Sequence, residues 1–156
     1  MSFDTLTQTG LSSMCIDHVM LGVPNYEKTM RWYQEKLDAT VEQEWTVQEL
    51  PDLKFAYLNV HGFHIEVVGS SESRPGMPSL FDFGEALRTT GIGHFCFRVN
   101  DVDAALAELN HRGVQTFVEP ADYPSVGVRV GFIKDNNGNV IEFTGPLTAT
   151  HLSPTT

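Results

Sequence analysis

The strongest constraint on this chain is a pattern that occurs twice at one interval. His18 stands in Cys15-Ile16-Asp17-His18-Val19-Met20, and Glu66 follows 48 residues later in Phe63-His64-Ile65-Glu66-Val67. His94 stands in Gly91-Ile92-Gly93-His94-Phe95-Cys96, and Glu142 follows at the same interval of 48 in Asn139-Val140-Ile141-Glu142-Phe143. A shift of 76 residues superposes both pairs without a gap, and also matches Ile16 with Ile92, Val23 with Val99, Ile65 with Ile141 and Gly69 with Gly145. One repeated histidine is cheap, whereas a doubled His…Ile-Glu frame is not. The chain reads as a duplicated module in which each copy contributes one imidazole and one carboxylate to a shared site.

Local patterns agree between the halves. Residues 16–23 form an apolar, β-branched run that reads as a strand, stopped by Pro24 with Asn25 as N-cap of a helix. In that helix Tyr26, Met30, Tyr33 and Leu37 recur at helical spacing and define one buried face, with Glu27, Lys28, Arg31 and Glu35 largely off it. Residues 40–47 and 55–60 read as strands separated by a turn at Pro51-Asp52, and His61-Gly62 turns the chain into a further strand over 63–68. The second half repeats the order. A strand over 92–99 precedes a helix capped by Asn100 or Asp101, buried through Val102, Ala105, Leu106 and Leu109 and ended by Gly113. Strands follow over 114–119, 126–134 and 140–144, with a loop over 120–124 and a hairpin turn at Asp135-Asn136-Asn137-Gly138-Asn139. The expected organisation is α+β: one domain over 14–146, with modules at 14–69 and 92–146. The connector, 70–91, carries a short helix capped by Ser79 with Leu80, Phe81, Phe83 and Leu87. Residues 1–13 and 147–156 read as flexible tails.

Composition removes several classes of function. With 20 acidic against 10 basic residues the formal charge is −10, which argues against a nucleic-acid partner, whose phosphates call for a clustered cationic surface. No apolar run approaches the roughly 20 residues that span a bilayer, so no membrane partner is expected. The start lacks the basic region and apolar core of a secretory signal. Only two cysteines, Cys15 and Cys96, are present, without short metal-type spacing, which suits free thiols and a cytoplasmic location.

Side chains alternate along a strand. His18 therefore shares a face with Ile16 and Met20, His94 with Ile92 and Cys96, Glu66 with His64 and Val68, and Glu142 with Val140 and Thr144. If these faces turn inward on a curved sheet, two imidazoles and two carboxylates converge. Buried carboxylates are costly unless paired or coordinated, and two of them balance a divalent cation while neutral imidazoles complete its shell. Such a set leaves two positions of an octahedral ion open for water or substrate and is unlike a thiolate-rich structural zinc site. One divalent ion per site is expected, with Zn, Ni, Co, Mn and Fe(II) all compatible. Arg98, Arg129 and Lys134 are cations able to steer an anionic substrate but read chiefly as surface charges, and Trp32 and Trp45 read as core.

These motifs resemble the vicinal oxygen chelate superfamily, which includes glyoxalase I, methylmalonyl-CoA epimerase, fosfomycin-resistance proteins, bleomycin-binding proteins and extradiol dioxygenases. The resemblance rests on Ile16-Asp17-His18-Val19, on Gly91-Ile92-Gly93-His94, on the segment from Tyr26 to Leu37 with Arg31-Trp32-Tyr33, and on the closing hairpin with Gly138-Asn139 and Ile141-Glu142. Asn136 stands in that hairpin where the family usually has proline. The resemblance implies two βαβββ modules forming a curved, mixed eight-stranded sheet around a metal cavity, with helices outside, commonly within a homodimer. It implies His18, Glu66, His94 and Glu142 as metal ligands. The first functional expectation is a glyoxalase- or epimerase-type lyase or isomerase acting on a small carbonyl substrate through an enediolate, with Glu66 or Glu142 as base. Gly22 and Ser70 occupy the positions of the glyoxalase I glutathione anchors, which argues against glutathione as co-substrate. The second is an Fe(II) extradiol-type dioxygenase using His18, His94 and Glu142, with His64 as acid/base. The third is a non-catalytic protein that binds a small molecule.

Overall fold

The computed structural model describes residues 10–70 and 90–147, with Gly84 and Arg88 between them. The helix expected at 79–87 and both chain ends lie largely outside the described residues. Strand β1 (His18–Val23) stops at Pro24, and Asn25 caps α1 (Tyr26–Leu37) by accepting a 2.9 Å hydrogen bond from the Lys28 N–H. The face that the spacing predicts, Tyr26, Met30, Tyr33 and Leu37, is buried together with Thr29. Asp38 ends the helix in the left-handed region at φ 53°. Then come β2 (Thr40–Val47), β3 (Leu50–Val60) and β4 (Phe63–Gly69). The turn into β3 falls at Gln48-Glu49 and not at Pro51-Asp52. Pro51 is tolerated inside β3 because the β3–β4 ladder begins only at Lys54 opposite Gly69.

The second module repeats the order as β5 (His94–Arg98), α2 (Val102–His111), β6 (Thr116–Tyr123), β7 (Val128–Lys134) and β8 (Val140–Pro146). Asp101 is the cap of α2, accepting from the Ala104 N–H at 2.9 Å. β6 runs through Pro120, where the sequence suggests a loop. It is an edge strand whose pairing with β7 is shifted between Val118 and Ala121, and such an irregularity accommodates a residue without an N–H. The first strand of each module starts at its histidine, leaving Ile16 and Ile92 ahead of it, each 87% exposed.

The strands pair in the orders β1-β4-β3-β2 and β5-β8-β7-β6. In each sheet the first strand lies parallel to the fourth, and the remaining pairs are antiparallel. The eight strands thus form two four-stranded sheets, where a single eight-stranded sheet is the sequence expectation. The modules join through a shared core instead of a ladder. Ile65 and Val67 of β4, Ile133 of β7, and Ile141 and Phe143 of β8 belong to one buried cluster with residues from α1 and α2. Polar ties cross the same junction. The Tyr33 hydroxyl donates to Asp135 at 2.9 Å, and the Asn136 and Asn137 amides donate to the fully buried Thr29 hydroxyl at 3.1 and 3.0 Å. Burial raises the Tyr33 hydroxyl well above its ordinary pKa, and the Asp135 charge adds to the effect. Among the described residues no helix is long and apolar enough to cross a membrane.

The matched glycines have a steric cause. A Cβ on Gly69 would lie 2.8 Å from the Val23 carbonyl oxygen, and one on Gly145 would lie 2.8 Å from the Val99 carbonyl oxygen. Val23 and Val99 are themselves related by the 76-residue shift. Each module therefore packs the end of its last strand against the backbone that leaves its first. Gly145→Ala is expected to cost about 1–3 kcal/mol, because a backbone oxygen cannot rotate away as a side chain can. Denaturant titration would check this, and an unchanged midpoint would show that the contact yields.

Candidate metal centre

Parallel pairing with a common register builds the same half-site twice. His18 lies opposite His64 and Met20 opposite Glu66, while His94 lies opposite Val140 and Cys96 opposite Glu142. In both modules the glutamate sits two residues beyond its histidine's ladder partner, so imidazole and carboxylate meet diagonally on one face. The buried neighbours Ile65 and Val67, and Ile141 and Phe143, take the opposite face into the core.

His18 Nε2 lies 3.5 Å from Glu66 Oε2, with side-chain exposures of 30% and 19%. His94 Nε2 lies 2.6 Å from Glu142 Oε2, with exposures of 35% and 17%. Two ligands each about 2.1 Å from an ion stand about 3.0–3.5 Å apart at octahedral to tetrahedral angles. The first pair has that separation. The second is closer, as a direct hydrogen bond from imidazole to carboxylate. Both pairs present donors that suit a borderline divalent ion.

Each histidine stands next to the glutamate of its own module. Among the described residues no three His, Cys, Asp or Glu side chains are placed to hold one ion.

The surroundings also differ between modules. His18 Nδ1 lies 2.7 Å from Asp17, a carboxylate that accepts its proton and leaves Nε2 facing Glu66. In module two the corresponding position is Gly93. His64 lies on the His18 face, with Nε2 3.2 Å from Glu42, and Asn59 donates to Glu42 at 2.8 Å. Trp45 stacks on Phe55 at 5.5 Å and tilts against Tyr57 at 4.8 Å, and Tyr57 lies 5.3 Å from the His18 ring. Trp45 therefore walls the site face, where the sequence suggests core, while Trp32 packs on the core as expected. Sequence reasoning missed Asp17, Glu42, Tyr57 and Trp45 as site neighbours. Only Asp17 carried a local signal, its adjacency to His18. Burial, aided by Glu142, pushes the Cys96 thiol up to about 11. Two of the cations singled out as possible substrate guides are engaged elsewhere: Arg129 bridges Asp103 and Asp122, and Lys134 lies 3.8 Å over the Phe117 ring.

Tandem βαβββ modules, each with histidine on its first strand and glutamate on its fourth, define a duplicated protein with one histidine–glutamate pair per module. The chain belongs to the Glyoxalase/Bleomycin resistance protein/Dioxygenase superfamily, whose family model matches residues 15–143. The mitochondrial methylmalonyl-CoA epimerase of Mus musculus is 25% identical over 134 residues, covering 81% of this chain and 70% of the mouse protein. The lactoylglutathione lyase of Schizosaccharomyces pombe is 24% identical over 119 residues, covering 68% of this chain but 39% of that protein. A glyoxalase family protein from Enterococcus faecalis superposes with a TM-score of 0.68 at 26% identity, covering 83% of this chain and 95% of that one.

Proposed function

We propose that two copies of this chain assemble a divalent-metal centre, with His18 and Glu66 of one copy meeting His94 and Glu142 of the other. The centre serves proton transfer beside the carbonyl of a small molecule, in the manner of a glyoxalase or epimerase. The observation that carries this reading is that each module sets one partly exposed histidine beside one glutamate, with no third such donor joining either pair among the described residues. Apolar groups exposed beside the first half-set support it. Met20 is 57% exposed on the His18 face, and Ile16 and Ile92 are exposed at matched positions ahead of the two histidines. A second copy would cover such groups.

The ion, when bound, would polarise the substrate carbonyl and balance negative charge developing on its oxygen. The chain supplies the rest. Asp17 holds the His18 ring with Nε2 toward the centre. Glu142 stays a ligand, whereas Glu66, which shares its face of β4 with His64, is the carboxylate that takes the α-proton. His64, braced by Glu42, exchanges that proton with solvent. Tyr57, Phe55 and Trp45 shield the reacting face from water.

Methylmalonyl-CoA, the compound in the mouse relative's name, is a suitable first probe because Gly22 and Ser70 replace the glutathione anchors. Metal-loaded protein in D2O is expected to exchange its α-proton, and Glu66→Gln is expected to slow exchange by at least about 10²-fold. Absence of exchange with every divalent ion, together with oxygen uptake by iron-loaded protein given a catechol, would replace this reading with the dioxygenase one.

A further inference from the structure

The two half-sites share a plan but differ one rung further along the sheet. Alternation puts His94, Cys96 and Arg98 of β5 on one face, while Phe95 and Phe97 pack on the core. Arg98 lies opposite Thr144 as Cys96 lies opposite Glu142, so an arginine and a threonine stand side by side on the half-site face. The Cys96 thiol feels this placement: burial raises it most and Glu142 adds to the rise, while the Arg98 charge works against both. In module one the equivalent rung is Gly22 opposite Val68, with neither charge nor hydroxyl.

The surface between the two rungs is apolar. Glu142 and Thr144 pair on their other side with Phe132 and Val130 of β7, and Val130, Phe132 and Val140 are buried in a small cluster of their own, apart from the main core. The Phe132 ring stands edge-on to the His94 ring at 5.8 Å. A molecule lying along this face would meet the His94–Glu142 donors at one end, apolar side chains in the middle and a cation at the other end. Of the three cations able to guide a substrate, Arg129 and Lys134 are engaged, whereas Arg98 is exposed and forms no ion pair among the described residues. Glu142, the acid one rung away, is itself paired with His94 at 2.6 Å.

We infer, on the basis of the metal centre proposed above, that the substrate is a small carbonyl compound with a distal carboxylate, held by Arg98 and Thr144 while its carbonyl end lies at the His94–Glu142 pair. The Arg98 rung lies two residues beyond the Glu142 rung, roughly 7 Å along the strands, which suits a short aliphatic spacer over Val130 and Phe132. A planar guanidinium meets a carboxylate in two-point contact, and the neighbouring hydroxyl is a further donor. Because module one has glycine and valine at this rung, the ligand takes one orientation in the centre.

Calorimetric titration of the metal-loaded, full-length protein with α-ketoglutarate and with α-ketovalerate tests this. The two acids share chain length and the metal-chelating end, and only the first carries a distal carboxylate. α-Ketoglutarate is expected to bind at least about tenfold more tightly, the factor that one charge-assisted contact supplies. Arg98→Gln is expected to abolish that preference, and Arg98→Lys to keep part of it, because the charge stays while the two-point contact goes. Thr144→Val is expected to reduce the preference about threefold. Bound metal is measured alongside by competition against a chelating dye. Protein that holds the ion yet binds both acids equally would overturn the anchor and leave the metal centre standing. Protein that holds no ion would overturn the centre and the anchor with it. A preference that survives in Arg98→Gln would place the distal carboxylate elsewhere, and loss of the ion in that variant would make Arg98 part of the centre and not the anchor.

Discussion

A His18→Ala chain and a His94→Ala chain, each unable to hold a divalent ion tightly, are expected to regain tight binding when unfolded together and refolded as a mixture. If the centre forms between copies, one of the two centres in a mixed dimer carries both lesions and the other carries none. The intact centre restores roughly one tight ion per mixed dimer, whereas either variant alone loses a direct ligand at both centres. Loss of an outer-shell partner alone typically costs about 10–100-fold in metal affinity, so removal of His18 or His94 should exceed that range. Competition against a chelating dye would measure the affinities, and sedimentation would establish that the mixed species is a dimer. Failure of the mixture to recover binding, with both variants folded, would place the centre elsewhere. Parent-like affinity in the single variants would remove these histidines from the ligand set. The experiment needs no knowledge of the substrate, so it separates the question of assembly from the question of reaction.

Asp135→Ala is expected to be the most damaging change away from the centre. The Asp135 carboxylate is buried and accepts from the Asn137 N–H at 2.8 Å, the Asn139 N–H at 2.9 Å, the Asn139 amide at 2.8 Å and the Tyr33 hydroxyl at 2.9 Å. Truncation leaves these donors without their acceptor, including a hydroxyl on a fully buried tyrosine. Each buried unsatisfied group costs about 1–3 kcal/mol. With partial relaxation and water entry the sum is on the order of 3–5 kcal/mol, or a fall of about 10–15 °C in melting temperature for a domain of this size. Tyr33→Phe removes only one of the donors that cross between modules and should cost about 1–2 kcal/mol. Calorimetry on both variants checks the ranking. An Asp135→Ala loss no larger than that of Tyr33→Phe would mean that the hairpin holds itself without the carboxylate.

Much of the local structure was legible because its causes are local. Asn25 and Asp101 cap helices through their own side chains, and the Tyr26, Met30, Tyr33, Leu37 face follows from helical spacing. Gly69 and Gly145 recur because each module packs that position against the backbone of its first strand. The misreadings have non-local causes. Pro51 and Pro120 looked like breakers, yet each lies where a ladder is missing or shifted, which only pairing reveals. Trp45 looked like core because its hydrophobicity carries no information about which face of β2 is buried.

The candidate centre divides along the same line. The sequence by itself determined the duplication, the two recurring His–Glu pairs and, through strand parity, which neighbours share their faces, because repeat length and side-chain alternation are properties of the chain. Tertiary structure alone decided that Ile65, Val67, Ile141 and Phe143 pack into one common core and that each histidine meets the glutamate of its own module. Alternation fixes which residues share a face, whereas the register between strands decides which of them meet, and that register is set by pairing across the sheet.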